Sequence, residues 1–142
     1  MNERSPICEA ETASLSGAPG VIVHGEVDIS AAPQLTEALD AAIRASAGAF
    51  VVDLCDVEFL DSSGVNVLVR ARAVLGRDER ALAVVCPPGP ARRVFEVAGI
   101  ADLLILFDSR EDASAALQPA LAGAPRDRRS RESTVVRRQE QV

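Results

Sequence analysis

The tetrapeptide Asp61-Ser62-Ser63-Gly64 places two hydroxyls between an apolar segment and an amphipathic one. Before it, Phe50 to Leu60 reads as a buried strand followed by a short connection. After it, Val65, Leu68, Val69 and Leu75 fall near helical spacing, with Arg70, Arg72 and Arg77 alongside. Small polar residues at an exposed helix start bring hydroxyls together with free backbone N–H groups, and that end of a helix favours negative charge, phosphate included. A serine there can serve as an N-cap, as a phosphate acceptor, or as both. Taken alone, a Ser-Ser-Gly at a helix start is more often only a cap.

Other residue types offer little competing chemistry. His24 is the single histidine and stands in a strand-like segment, with no recognisable Ser-His-Asp order around it. Cys8, Cys55 and Cys86 are widely spaced, form no C-x-x-C pair and read as buried reduced thiols, so neither a metal site nor a disulfide is expected. Asp53 and Asp56 flank a strand and read as solvated or loop-bonding carboxylates. Arg92 and Arg93 read as a solvated helix face. The segment around Gly89 lacks the G-x-x-x-x-G-K-[ST] pattern of a P-loop. No cofactor is expected.

The elements that must position the serines alternate along the chain. Pro6–Ser14 fits an edge strand, Ser16–Gly20 a Gly/Pro turn, and Val21–Gly25 a second strand completing a hairpin. Ser30 is the expected cap of a first helix, with Pro33 in its first turn; Leu35, Leu39, Ala42 and Ile43 form its apolar face, and it should end near Gly48. Ala81–Cys86 has the uninterrupted apolar character of a strand covered on both faces. Pro90 opens a third helix whose buried side is read as Val94, Phe95, Val97 and Ala98, with Gly99 at its end. Leu103–Phe107 is the last strand, and Ser109 caps a terminal helix through Ala113, Ala116, Leu117 and Leu121. The fold class is therefore α/β: one domain over residues 6–122 with a mixed, mostly parallel sheet, an N-terminal hairpin and about four helices. Residues 1–5 are expected to be flexible, and the Arg-rich residues 123–142 to be a disordered tail. Sites in such sheets gather at strand-to-helix loops, here Gly25–Ser30 and Asp61–Gly64.

Composition narrows the function further. Of 142 residues, 48% are hydrophobic but only 3% aromatic, so the core must be aliphatic. No apolar run approaches the ~18 residues of a membrane span, and Met1–Ser5 lacks the form of a secretory signal, which leads us to expect a cytoplasmic protein. Residues 1–122 carry 9 Arg and 18 acids, whereas residues 123–142 carry 6 Arg and 3 acids. A body so acidic argues against nucleic acid as a direct partner.

The run from Val52 to Val65, with Asp61-Ser62-Ser63-Gly64 near its end, resembles the signature of STAS domains, and more narrowly of bacterial anti-sigma factor antagonists. Gly25-Glu26-Val27-Asp28, Pro90–Phe95 and Val97–Ile100 extend the resemblance in order over residues 6–121. It implies a protein that is not an enzyme but binds an anti-sigma factor serine kinase and so releases a sigma factor. It also implies that Ser62 is the phosphoacceptor, that phosphorylation ends binding, and that a serine phosphatase resets the switch. By the same resemblance Asp28, Asp61, Ser63 and Gly64 are partner-binding residues, with Gly64 permitting close approach of a partner loop. Asn66 departs from the family pattern, which has a smaller residue there. The alternative within the same family is a scaffold or an accessory subunit of a stress-signalling assembly or membrane transporter, not regulated by phosphorylation.

Overall fold

Two pairing rules organise the chain: a short turn forces antiparallel neighbours, and a crossover helix permits parallel ones. The computed structural model describes residues 8–15 and 17–122. Strands β1 (Glu9–Leu15) and β2 (Ala18–Val27) form the antiparallel hairpin; then α1 (Ala32–Arg44), β3 (Phe50–Leu60), α2 (Ser62–Gly76), β4 (Leu82–Val85), α3 (Pro90–Val97), β5 (Ile105–Phe107) and α4 (Arg110–Ala122) follow. The sheet order is β1-β2-β3-β4-β5, with every pair after the hairpin parallel. Residues 1–5 and 123–142, expected to be flexible and disordered, lie outside the described residues.

Helices α1, α2 and α3 cover one face of the sheet and α4 covers the other. On the three-helix side, Val21, Val23, Phe50, Val52, Leu54 and Val84 meet Leu35, Leu39, Leu68, Leu75 and Phe95. On the α4 side, Ala18, Val51, Ala83 and Val85 meet Ala113 and Leu117. Successive residues of β3 thus enter different cores, which explains its unbroken apolar start. The cores are aliphatic, with Phe50 and Phe95 as the two aromatics fully buried.

Several expectations need correction. The hairpin turn is tighter than Ser16–Gly20, because Ala18, Pro19 and Gly20 already pair with β1. Gly20 is required by close packing: a Cβ there would stand 2.3 Å from the Val51 carbonyl oxygen. No connection separates the buried strand from the serine loop, since β3 stays paired with β2 as far as Val27 opposite Leu60, with two register shifts on the way. Val97 is 81% exposed. It lies two residues, about 200° of helix rotation, from the buried Phe95, and a single-faced helix cannot bury both. Ala98 and Ala116 are exposed as well, and β5 is shorter than Leu103–Phe107.

Ser109 caps α4 as expected, its Oγ accepting from the Asp112 N–H at 3.1 Å. Ser30 does not cap α1. Ala31 occupies that position without a side-chain hydrogen bond, and the capping carboxylate belongs to Asp28.

The serine loop and its surroundings

The end of β3 delivers the serines next to the end of β2. Asp61 N–H donates to the Val27 carbonyl at 3.2 Å, so the Asp28 turn and the Asp61 turn leave the sheet side by side. Each turn is closed by its own aspartate. Asp28 Oδ1 accepts from Ser30 Oγ at 2.7 Å, and from the Ser30 and Ala31 N–H groups at 3.0 Å each. The Ser30 hydroxyl first, and then the Ala31 amide, hold this carboxyl below its ordinary range. Asp61 is the N-cap of α2, its Oδ1 accepting from Ser63 N–H at 2.9 Å and Gly64 N–H at 3.4 Å.

Ser62 is the first residue of α2 and is exposed, whereas Ser63 is half-buried. Among the described residues the Ser62 hydroxyl has no hydrogen-bond partner. Two of the amides expected to be free for an anion at this helix start are already occupied by Asp61. Gly64 is buried. A Cβ there would stand 2.4 Å from Leu60 Cδ1 and 2.8 Å from Val27 Cγ1, so the close approach comes from inside the protein. Its missing side chain lets α2 start hard against the sheet.

Beyond Ser62 lies a shallow groove of about 390 Å³ between the start of α2 and α3, lined by Ser62, Pro90, Arg93, Val94, Val97 and Ala98. Arg93 is the one charged residue of that lining. Ile29 and Phe59, in the two segments that flank the aspartate turns, are 75% and 48% exposed. Sequence reasoning missed Ile29, Phe59 and Val97 as surface residues, because apolar side chains are assigned to a core by default. Asn66, the departure from the family pattern, is exposed on α2 one turn from Ser62.

The remaining candidates are committed elsewhere. Asp53 is fully buried, not solvated: Arg110 Nε donates to its Oδ2 and Cys55 N–H donates to its Oδ1 at 2.8 Å. Burial raises this carboxyl, but the Arg110 and Cys55 hydrogen bonds outweigh it and hold the group below the ordinary range. Arg110 Nη2 also reaches Asp56 at 3.6 Å; the two nitrogens of His24 face Asp56 at 3.3 Å and Glu11 at 3.1 Å. A charged network thus ties β1, β2, β3 and α4 together, with His24 inside it. Arg92, expected on a solvated face, donates to the Cys86 carbonyl at 2.7 Å and to Asp108 at 2.6 Å, while Arg93 is exposed as expected. Burial pushes the Cys55 and Cys86 thiols up to about 11 and raises that of Cys8.

Comparison with known proteins shows the family. Residues 11–106, from β1 into β5, match the family model described as "Mlab, STAS domain". The anti-sigma-F factor antagonist RsfB of Mycobacterium tuberculosis is 30% identical over 98 residues, covering 69% of this chain and 80% of that protein. The anti-sigma-B factor antagonist of Staphylococcus aureus is 28% identical over 91 residues, covering 64% and 84%. A crystal structure of an anti-sigma factor antagonist from Mycobacterium paratuberculosis superposes with a TM-score of 0.71 at 31% identity, over 78% of this chain and 94% of that one. The paired aspartate turns, the exposed serine and these likenesses place the chain in the STAS domain family, among the anti-sigma factor antagonists.

Proposed function

We propose that this chain binds an anti-sigma factor that is also a serine kinase, so freeing a sigma factor, and that phosphorylation of Ser62 ends the binding. The observation that carries the reading is the exposed Ser62 hydroxyl at the first position of α2, between turns closed by Asp28 and Asp61. In the transfer, Ser62 Oγ bonds to the γ-phosphorus of ATP as the bond to the β,γ-bridging oxygen breaks. ADP departs, and the hydroxyl proton passes to a base of the kinase. The chain is a substrate in this step and not a catalyst. A serine phosphatase restores the hydroxyl by hydrolysis.

The binding surface comprises the end of β2 and the turn after it, from Gly25 to Ser30, with Asp61, Ser62, Ser63 and the exposed side of α2, and Gly64 sets the height of that helix. Ile29 and Phe59 supply apolar area for contact. A phosphate brings about −1.5 to −2 charges beside Asp61, and burying that charge in an interface costs desolvation and like-charge repulsion. Partner release then needs no refolding. The acidic body supports a protein partner over nucleic acid, and we place the exchange in the cytoplasm.

Incubation with candidate anti-sigma kinases and ATP, followed by intact-protein mass spectrometry, tests the reading. One added phosphate in the wild type and none in Ser62→Ala is expected. Tight binding with no phosphate from any such kinase would favour the scaffold or transporter-subunit alternative and leave Ser62 without a switching role.

A further inference from the structure

We propose that Arg93 receives the phosphate of phosphorylated Ser62, drawing it into the groove between α2 and α3. This rests on the reading of Ser62 as phosphoacceptor and deepens it, by naming where the added charge goes. A phosphoserine at a helix start is ordinarily met by free amides. Here the Ser63 and Gly64 amides already serve Asp61, so the local field at Ser62 includes a carboxylate on the same side as any new phosphate. Compensating positive charge must come from another element.

The arginines are unequally available. Arg70 is paired with Asp40, Arg80 with the carbonyls of Gly48 and Ile43, Arg92 with Asp108, and Arg110 with Asp53 and Asp56. Among the described residues Arg93 makes no ion pair, and it lines the same groove as Ser62. The rest of the lining is Pro90, Val94, Val97 and Ala98, none of which offers a competing hydrogen bond from its side chain. A guanidinium forks onto phosphate oxygens through two parallel N–H donors. Phosphorylation then does more than repel a partner. It occupies Arg93 and lays a charged group across the Val94–Val97 floor that an apolar partner side chain would need.

The test is the ionisation of the phosphate itself. Phosphoserine is installed at position 62 during translation, which requires no kinase, and the phosphorus resonance is followed through its second ionisation near pH 6. A guanidinium partner favours the dianion, so wild type is expected to titrate about 0.5 unit or more below Arg93→Ala. Arg77→Ala, an exposed change at the far end of α2, is expected to titrate like wild type. Coincident curves for wild type and Arg93→Ala would overturn the proposal, as would an equal displacement in Arg77→Ala. Binding of the unphosphorylated protein to anti-sigma factors is read separately. Its absence would sink the antagonist reading while leaving the titration result in force; coincident titrations in a protein that binds normally would remove Arg93 alone.

Discussion

Arg110, the first residue of α4, closes an ion pair on Asp53, a fully buried carboxylate in the middle of β3, on the face of the sheet opposite the serine loop. The pair explains how a charged residue persists inside an apolar strand. It also gives α4, whose apolar contact among the described residues is made by Ala113 and Leu117, a fixed point at its start. Desolvating a carboxylate is expensive, and a pair that is well made offsets that cost without adding much net stability. The larger consequence follows from breaking it.

Arg110→Ala is therefore expected to destabilise the fold by about 2–3 kcal/mol, below the ~3–5 of a fully buried pair because the arginine is half exposed to water. The midpoint of urea unfolding should fall with little change in slope. A shift equivalent to less than about 0.5 kcal/mol would show that Asp53 is satisfied by the Cys55 amide alone.

The same pair sets an acid limb. The Asp53 carboxyl is depressed in the folded state relative to about 3.9 in the unfolded chain, so its contribution is complete above the unfolded value. It is lost as pH falls through the folded value. The stability difference between wild type and Asp53→Asn should be constant above pH ~5 and shrink below pH ~4. A difference that grows on acidification would reverse the assigned sign.

Gly64→Ala sets two effects against each other. Alanine gains about 1 kcal/mol of helix propensity over glycine. Against this, its Cβ would meet Leu60 Cδ1 at 2.4 Å and Val27 Cγ1 at 2.8 Å. Leu60 can swing its terminal methyl, but Val27 is β-branched and stiff, so α2 must lift, and overpacking of this kind costs about 1–3 kcal/mol. We expect a lower melting temperature, by several degrees, and weaker partner binding through a displaced Ser62. A variant as stable as wild type with unchanged binding would show that the helix start can move freely.

The thiols should be slow to react. Burial first, and then Asp53, push Cys55 up to about 11, and burial takes Cys86 to about the same value. At pH 8 their thiolate fractions fall roughly two-hundredfold below that of a free cysteine titrating near 8.5. Alkylation of the native protein should lag correspondingly behind that of the urea-unfolded chain. Equal rates would mean that β3 and β4 open readily.

The order of elements was legible because local rules agree with the global fold: period-2 and period-3.6 runs alternate, and Gly and Pro mark the boundaries between them. The serine loop was legible through its motif. What could not be read depends on neighbours distant in sequence. Asp53 reads as solvated from the sequence because nothing local selects Arg110, 57 residues away, as its partner over the other arginines. The internal packing of Gly64 is equally hidden, because the sequence does not show Val27 and Leu60 crossing beneath it. Ser30 has every local property of a cap, and it lost that place because Asp28, two residues earlier, bonds its N–H, its hydroxyl and the next amide at once. Val97 was assigned to a core that a two-turn helix presents only on the Phe95 side.

Ser62 and Ser63 differ in a way that binding can read. Ser62 is exposed and its hydroxyl is unengaged among the described residues, while Ser63 is half-buried and its amide is held by Asp61. Charge added at Ser62 enters the proposed contact surface without disturbing the cap, so Ser62→Asp should leave the melting temperature within a degree or two of wild type. The same change should weaken binding to the anti-sigma factor at least tenfold, about 1.4 kcal/mol, since a carboxylate must be desolvated beside Asp61. Ser63→Ala removes a hydroxyl from beside the cap and leaves the Asp61 bond to its amide intact. It should bind within about threefold of wild type, or ~0.7 kcal/mol, and still accept one phosphate. Calorimetry on the three proteins decides the matter. Wild-type affinity in Ser62→Asp would remove charge at this position as the switch, and a stronger loss in Ser63→Ala would move the contact one residue along the helix.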